Sequence, residues 1–332
     1  MRSLAYYLAL VAVLSLIVGS TIVRGESHPL VVVTVSSLKE DVEQLLCGSG
    51  SVYVLVPPGV DPHEYQLSVS DVEVLKRADL VVSTGHTHFE LKIHEMRERG
   101  EIQGNVVDVL EIPGILLLLN PVSGQPNYHM VVRDPVNYIA FILNVTSALV
   151  EVDPERAQCY RENALKVLER VIVDIMPYRG SRRGLVVVDK PHAQYAVTWL
   201  GYNVTWIVRF EEEAPLTPES TRRVSELLDS GAISAVFVTD PPVAQESRFL
   251  LEEASRNNVP VIRVPSPTST SALEALRTVV NQVKELTPPR AEKPPEASPV
   301  LSEYSAVVSG VVGFAVGVLS MYVVTKLARR RP

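Results

Sequence analysis

The chain has 332 residues, of which 46% are hydrophobic and 21% are charged, and its formal net charge is −7 at pH 7. This length is enough for about two domains. The acidic balance and the lack of a basic stripe argue against a nucleic-acid partner.

The N-terminal stretch is typical of an export signal. Arg2 is followed by an uncharged apolar run that ends near the small residues Gly19 and Ser20, which is the order found in secretory signal peptides that are removed by cleavage. We therefore assign residues 1–25 to a signal peptide. The alternative is an uncleaved membrane anchor, because the run approaches the ~20 residues that span a bilayer. The signal has no cysteine to which a lipid could be attached.

Eight short apolar runs rich in β-branched residues predict eight strands. None of the runs alternates strictly between apolar and polar residues, which is typical of parallel strands buried on both faces. The runs fall into two groups of four, at residues 30–35, 51–56, 80–84, 105–110, 184–189, 203–208, 234–239 and 259–264. Helical patterns separate most of them, so the fold is predicted to be α/β with right-handed crossovers.

Helix signals lie between the predicted strands. One helix is predicted to start at the N-cap pair Ser70-Asp71, and further patterns cover residues 219–230, 244–257 and 269–286. A longer pattern runs from about Pro154 to Met176, with apolar residues at three- and four-residue spacing.

These elements predict two lobes, each with a four-stranded, mostly parallel sheet flanked by helices. Residues 28–150 form the N-terminal lobe, residues 151–180 a long rigid linking helix, and residues 181–286 the C-terminal lobe. The alternative is one large doubly wound sheet.

The C-terminal region predicts a membrane anchor. Residues 287–303 are rich in proline and polar residues and predict an extended tether. Residues 304–325 carry no charge and are long enough to span a bilayer. The basic tail at residues 326–332 is then cytoplasmic by the positive-inside rule, which leaves the body of the protein outside the cell.

The chain contains two cysteines, Cys47 and Cys159. Outside the cell they can form a disulfide. Two separate buried thiols are the alternative, because the sequence does not give the distance between them.

Side chains that can bind metal follow most of the predicted strands. In open parallel sheets, ligands bind beyond the carboxyl ends of the strands. The residues at those ends are His63, His86, His88, His129, His192 and Asp240. Two lobes that face each other by these edges would bring His63, His129 and His192 into one cleft. Three imidazoles are a common zinc set, although a single loop histidine is more often solvated or hydrogen-bonded.

Three motifs indicate a family. The stretch PPGVDPHEYQLSVSDVEVLKRADLVVSTG, which contains His63, resembles the signature of the metal-binding components of zinc and manganese ABC importers. YHMVVRDPVNY, with His129, resembles the second motif of that family. VVVDKPHAQYAVTWLGYNV, with His192, resembles the third motif more loosely. The resemblance covers roughly residues 29–286.

This resemblance implies two α/β lobes joined by a long helix, with the metal held between them by His63, His129 and His192. It implies capture of Zn²⁺ or Mn²⁺ outside the membrane and delivery to an ABC permease with a cytoplasmic ATPase. The family usually has an aspartate after the last strand, but this chain has Ser266 near that place. Either water or Asp240 is expected as the fourth ligand. Zinc is favoured over manganese, because Mn²⁺ prefers oxygen ligands.

Two more histidines and two tyrosines lie within or close to these motifs. His86 and His88 are expected to form a solvated loop face rather than a metal-gathering pair at the cleft entrance. Tyr65 and Tyr195 are expected to pack around the metal or to support its ligands.

Two other functions are compatible with a site that contains three histidines. A zinc hydrolase uses three histidines and a water, but it needs a general base, and no HExxH pattern supplies one here. A receptor for a larger ligand, such as a metal chelate or an adhesive partner, would suit a wide aromatic cleft, whereas only 6% of the residues are aromatic.

Overall fold

The computed structural model describes residues 28–48, 50–211 and 215–286. In these residues eight strands and nine α-helices form two α/β lobes. The predicted signal peptide (1–25), tether (287–303), membrane anchor (304–325) and basic tail (326–332) lie outside the described residues.

The N-terminal lobe is built on a four-stranded parallel sheet with the strand order β2-β1-β3-β4. The central strand β1 is buried along its whole length, as its uninterrupted valine run predicts. The strands are β1 (Val31–Val35), β2 (Val52–Val56), β3 (Leu80–Ser83) and β4 (Asn105–Asp108), and the helices between them are α1 (Lys39–Glu43), α2 (Val69–Arg77) and α3 (His88–Glu98).

The C-terminal lobe repeats this arrangement with the strand order β6-β5-β7-β8, again all parallel. Its strands are β5 (Leu185–Val188), β6 (Asn203–Ile207), β7 (Ile233–Asp240) and β8 (Val261–Pro265). Its helices are α6 (Pro191–Thr198), α7 (Pro218–Asp229), α8 (Gln245–Arg256) and α9 (Ala272–Glu285). The two separate sheets confirm the predicted fold class over the alternative of one large sheet.

Two consecutive helical segments connect the sheets. Helix α4 (Pro135–Val152) is followed by a 3₁₀ turn, and then by α5 (Ala157–Arg170), which continues into a π-helical segment at Val171–Ile175. The long helix predicted from Pro154 to Met176 is therefore present as one nearly continuous helical run.

Helix α4 has the length and hydropathy needed to cross a membrane, and half of its apolar window is buried inside the protein. Tyr138, Phe141, Ile142 and Val145 are fully buried along one face. Their three- and four-residue spacing is that of a helix packed on a core.

Helix α2 starts two residues earlier than predicted. Its N-cap is Ser68, and Asp71 lies at the third helical position instead of at the cap. The Ser68 side chain accepts a hydrogen bond from the Asp71 backbone N–H at 3.2 Å, and the Asp71 carboxylate accepts one from the Ser68 N–H at 2.8 Å. This reciprocal capping box fixes the helix start.

A disulfide joins Cys47 to Cys159, with their Cα atoms 6.2 Å apart. It ties the segment after α1 to helix α5, across 112 residues of sequence. The Asn163 side chain on α5 donates to the Leu46 carbonyl at 2.9 Å, beside the disulfide. The N-terminal lobe is thus attached to the linking helix both covalently and by hydrogen bonding.

We predict that replacing both cysteines (Cys47→Ser with Cys159→Ser) lowers the free energy of unfolding by about 2–5 kcal/mol, because the long loop is no longer closed in the unfolded chain. Urea denaturation of the oxidised protein and of the variant measures this change. Reductant should destabilise the native protein and leave the variant unaffected. Identical denaturation curves for the two proteins would contradict the disulfide.

Candidate metal centre

Three histidines from three loops of the N-terminal lobe lie together. His63 follows β2, His86 follows β3, and His129 lies in the long loop between β4 and α4. Their ring centroids are 5.4 Å (His63 to His86), 5.4 Å (His63 to His129) and 5.0 Å (His86 to His129) apart. One nitrogen from each ring lies within 4.8 Å of the other two. We call these residues the histidine cluster.

His63 is positioned by a turn after β2. The backbone N–H of His63 donates to Asp61 Oδ1 at 2.9 Å. Gly59, in the same turn, has a φ of +82°, a conformation that glycine adopts without steric cost. The Gly59 N–H donates to the Thr268 carbonyl of the C-terminal lobe at 3.2 Å. The loop that carries His63 is therefore fixed from both lobes.

His86 is held by a buried carboxylate, that of Glu90. The Glu90 side chain is fully buried and accepts hydrogen bonds from the Thr84 N–H at 2.8 Å, the His86 N–H at 3.1 Å and the Thr87 hydroxyl at 2.9 Å. Burial by itself raises the pKa of Glu90, but the neighbouring His86 charge and the hydrogen bonds from the loop outweigh it and lower this pKa to about 2. The charged carboxylate lies 4.0 Å from His86 Nδ1.

His86 and His88, which were both predicted to lie on a solvated loop face, differ in their solvent exposure. The His86 side chain is only 12% exposed and belongs to the histidine cluster. His88 is exposed and is the first residue of α3. The prediction was therefore wrong for His86, because Glu90 folds the loop inward and turns residue 86 toward the cleft.

His129 is oriented by Asn127. Asn127 Oδ1 accepts from the His129 N–H at 3.0 Å and lies 3.0 Å from His129 Nδ1. Because an amide oxygen only accepts, Nδ1 carries the proton and the lone pair of the neutral ring is on Nε2. Asn127 is itself fixed by α6 of the other lobe, since its amide donates to the Pro191 carbonyl at 2.8 Å and to Gln194 Oε1 at 2.9 Å.

Two tyrosines from the sequence motifs, Tyr65 and Tyr195, support the loops that carry the histidines. The Tyr195 hydroxyl donates to the Asn127 carbonyl at 2.6 Å, so it supports the His129 loop. The Tyr65 hydroxyl donates to Asp71 at 2.9 Å, and its ring packs on Phe89 at 5.2 Å. Both side chains stabilise loops that carry histidines.

His192 lies on the opposite wall, on the second residue of α6, and is 1% exposed. Its Nε2 is 3.1 Å from the Thr239 hydroxyl, which itself donates to Asp189 at 3.0 Å. A hydroxyl has one proton, so the Nε2–H of His192 donates to Thr239. His192 lines the same cavity as the histidine cluster but is not one of its three members.

Asp240 does not line the cavity wall in the described part of the chain. Successive side chains of a strand point to opposite faces, and it is Thr239 that faces the cavity. Asp240 is exposed at the end of β7, where its carbonyl accepts from the Ser266 N–H at 3.0 Å. The structure therefore gives no support to Asp240 as the fourth ligand.

A cavity of about 500 Å³ separates the histidine cluster from the C-terminal lobe. The far wall carries Lys190, His192, Thr239, Ser247, Ser266 and Thr268. Two α/β lobes, with a group of histidines beside the cavity that could hold a metal ion, are the arrangement expected of solute-binding proteins that take up metal ions.

The family follows from comparison with known proteins. Residues 31–286 match the family described as ZnuA, the periplasmic component A of the zinc-uptake complex. This match covers more than half of the chain, so the protein belongs to the ZnuA family. The family is that of a substrate-binding component of transporters.

Individual relatives are more distant. The chain is 26% identical over 247 residues to the iron-binding protein YfeA of Yersinia pestis, covering 69% of this chain and 78% of that protein. It is 27% identical over 223 residues to the manganese-binding lipoprotein MntA of Halalkalibacterium halodurans, covering 64% and 72% respectively.

Solved structures share the fold. The Mn-bound periplasmic metal-binding protein of Candidatus Liberibacter asiaticus superposes with a TM-score of 0.60 at 19% identity, covering 77% of this chain and 98% of that one. FpvC of Pseudomonas aeruginosa, in complex with Mn²⁺, gives a TM-score of 0.61 at 17% identity, covering 78% and 99%.

We predict that His63→Ala, His86→Ala and His129→Ala each weaken zinc binding by more than about 100-fold. Loss of a residue that merely supports a ligand costs about 10–100-fold, and loss of a ligand should cost at least as much. Titration against a competing chromophoric chelator measures the change. His88→Ala is the matched control and should bind like the native protein. An unchanged affinity in His86→Ala would contradict its place among the ligands.

Proposed function

We propose that this protein captures a divalent transition metal ion outside the membrane, with zinc preferred over manganese, and delivers it to an ABC permease driven by a cytoplasmic ATPase. The proposal depends on one observation: a nitrogen from each of His63, His86 and His129 lies within 4.8 Å of the other two. Family membership supports the transport role.

The chemistry of the cluster favours a cation at its centre. Neutral imidazoles present lone pairs, and three of them at this spacing form a familiar zinc set with metal–nitrogen distances of ~2.0–2.1 Å. Three protonated rings at the same spacing would repel one another. The buried Glu90 carboxylate adds a negative charge beside His86, and carboxylates behind metal-binding histidines increase ligand basicity.

The donor set decides which metal is preferred. Relatives are named for different metals: iron for YfeA, manganese for MntA and zinc for TroA of Treponema pallidum, which matches over 78 residues. A set of imidazoles without a carboxylate favours the later first-row metals, whereas Mn²⁺ prefers oxygen. The three histidines that approach one another here therefore support zinc over manganese.

His192 completes the proposed site from the C-terminal lobe. It faces the cluster across the cavity, with its orientation set by Thr239. The same helix, α6, also holds the His129 loop through Asn127. The position of the C-terminal lobe therefore depends on the loop that carries His129. A permease that contacts both lobes could in this way recognise the protein with its ion bound.

The location is proposed from the sequence at the two ends. Residues 1–25 direct export, and the uncharged residues 304–325 anchor the chain in the membrane, with the basic tail at residues 326–332 in the cytoplasm. The proline-rich residues 287–303 are proposed as the tether that joins the lobes to this segment.

We predict that metal-free protein binds Zn²⁺ at least about 100-fold more tightly than Mn²⁺, because imidazole donors follow the order of metal affinities that rises toward copper and zinc. Competition titrations at fixed pH measure both constants. A His63→Ala, His129→Ala double variant is the control and should bind neither metal tightly. Equal affinities for the two metals would contradict the preference, and no binding of either metal would contradict the function.

We predict that deleting residues 304–332 moves the protein from the membrane fraction to the soluble extracytoplasmic fraction. The deletion removes the apolar segment together with the basic tail. A shorter deletion, of residues 326–332 alone, is the control and should leave the protein in the membrane. Fractionation and immunoblotting measure the distribution. If the longer deletion stayed with the membrane, another segment would have to be the anchor.

A further inference from the structure

Two stretches of the chain match the Asn-x-Ser/Thr sequence at which secreted proteins receive sugars. They are Asn144-Val-Thr146 and Asn203-Val-Thr205. Attachment of a sugar needs an asparagine side chain that an enzyme can reach, so the surroundings of each asparagine decide whether the sequence can be used. Neither asparagine lines the cavity beside the histidine cluster.

Asn144 lies inside helix α4, and the polar groups of its sequence are already bonded within that helix. The Asn144 Nδ2 donates to the Ala140 carbonyl at 2.9 Å, one turn earlier. Thr146 is buried, and its hydroxyl donates to the Ile142 carbonyl at 2.6 Å. The folded protein therefore does not offer this asparagine to a modifying enzyme.

Asn203 lies on an accessible part of the C-terminal lobe. It is the first residue of β6, which is an edge strand of its sheet. Its backbone N–H donates to the Gly184 carbonyl at 2.9 Å, which fixes the main chain. The Asn203 side chain is exposed and makes no hydrogen bond to the residues that the structure describes. Its amide nitrogen is therefore available for modification.

The geometry of β6 also presents the threonine that follows. Successive side chains of a strand point to opposite faces, so Asn203 and Thr205 share one face, whereas Val204 is buried in the core. Leu185, the residue of β5 that pairs with Asn203, is an exposed hydrophobic residue. The surface around Asn203 is thus open to solvent, and a sugar attached there would cover Leu185.

The disulfide between Cys47 and Cys159 supports a location where such modification takes place. Disulfides form and persist mainly in oxidising compartments outside the cytoplasm. Secreted chains that carry an exposed Asn-x-Ser/Thr sequence can receive sugars on that side of the membrane. The disulfide and the exposed asparagine are independent observations, and both fit an exported protein.

We propose that Asn203 carries an N-linked glycan and that Asn144 does not. This inference rests on the extracytoplasmic location given in the proposed function. The donor is an oligosaccharide joined by its anomeric carbon to a polyisoprenyl phosphate or pyrophosphate. The Asn203 amide nitrogen bonds to the anomeric carbon, the bond from that carbon to the phosphate oxygen breaks, and the phosphate leaves with the electron pair. The amide nitrogen loses one proton, and the step needs no oxidant or reductant.

The test is mass spectrometry of the protein purified from the membranes of the cells that produce it naturally. Trypsin places the two asparagines on different peptides, because Arg156 and Arg183 lie between them. The peptide of residues 184–209 should be heavier than its sequence by the mass of a glycan, with fragment ions that assign the glycan to Asn203. The peptide of residues 134–156 should have the mass of its sequence.

Variants produced in the same cells make the test specific to this site. Asn203→Gln and Thr205→Ala should each lose the glycan, because the first removes the acceptor asparagine and the second removes the hydroxyl that the sequence requires. Thr205→Ser is the matched control and should keep the glycan. All three variants should bind zinc as tightly as the native protein, which checks that they fold.

The outcomes separate this proposal from the proposed function. If the peptide of residues 184–209 has the mass of its sequence alone while Cys47 and Cys159 are joined, glycosylation of Asn203 is refuted and the location stands. If the glycan is absent and the two cysteines are free thiols, the location is contradicted as well. A glycan on Asn144 instead of Asn203 also refutes the proposal. The zinc titration reports on metal capture separately.

Discussion

The close approach of three imidazole rings is the constraint on which the site depends. Their centroids lie 5.0–5.4 Å apart, so neutral rings can share a cation, whereas charged rings would repel one another. Each ring is positioned by a different structural feature. These are a glycine turn before His63, the buried Glu90 carboxylate beside His86, and the Asn127 amide beside His129. These hydrogen bonds do not involve an ion, and they hold the three rings close together.

The same loops join the two lobes. The Asn127 amide donates to the Pro191 carbonyl of α6, and Gly59 donates to the Thr268 carbonyl after β8. Farther from the cavity, the fully buried Asp41 of α1 accepts from the Ala272 N–H at 2.7 Å, at the start of α9. Hydrogen bonds between the lobes are therefore present both beside the histidine cluster and at the helices farther from the cavity. Together they hold the two walls of the cavity in fixed positions.

Much of the fold was predictable, because uninterrupted β-branched runs such as Val31–Val35 predict buried parallel strands directly. The part of the site that was missed depended on side-chain geometry. Thr87 and Glu90 form a capping box at the start of α3, and this Thr-x-x-Glu signal, present in the sequence, places Glu90 against the loop of His86. Asp240 was expected as the fourth ligand from its position at the end of β7, but the sequence alone does not show that Thr239 lines the cavity instead, because successive side chains of a strand point to opposite faces.

A crystal structure of the zinc-loaded protein, with anomalous data collected at the zinc absorption edge, tests the account most directly. We expect one zinc ion with nitrogens of His63, His86 and His129 at ~2.0–2.1 Å, on the side of the cavity that His192 faces. An ion bound elsewhere, or bound without His86, would contradict it.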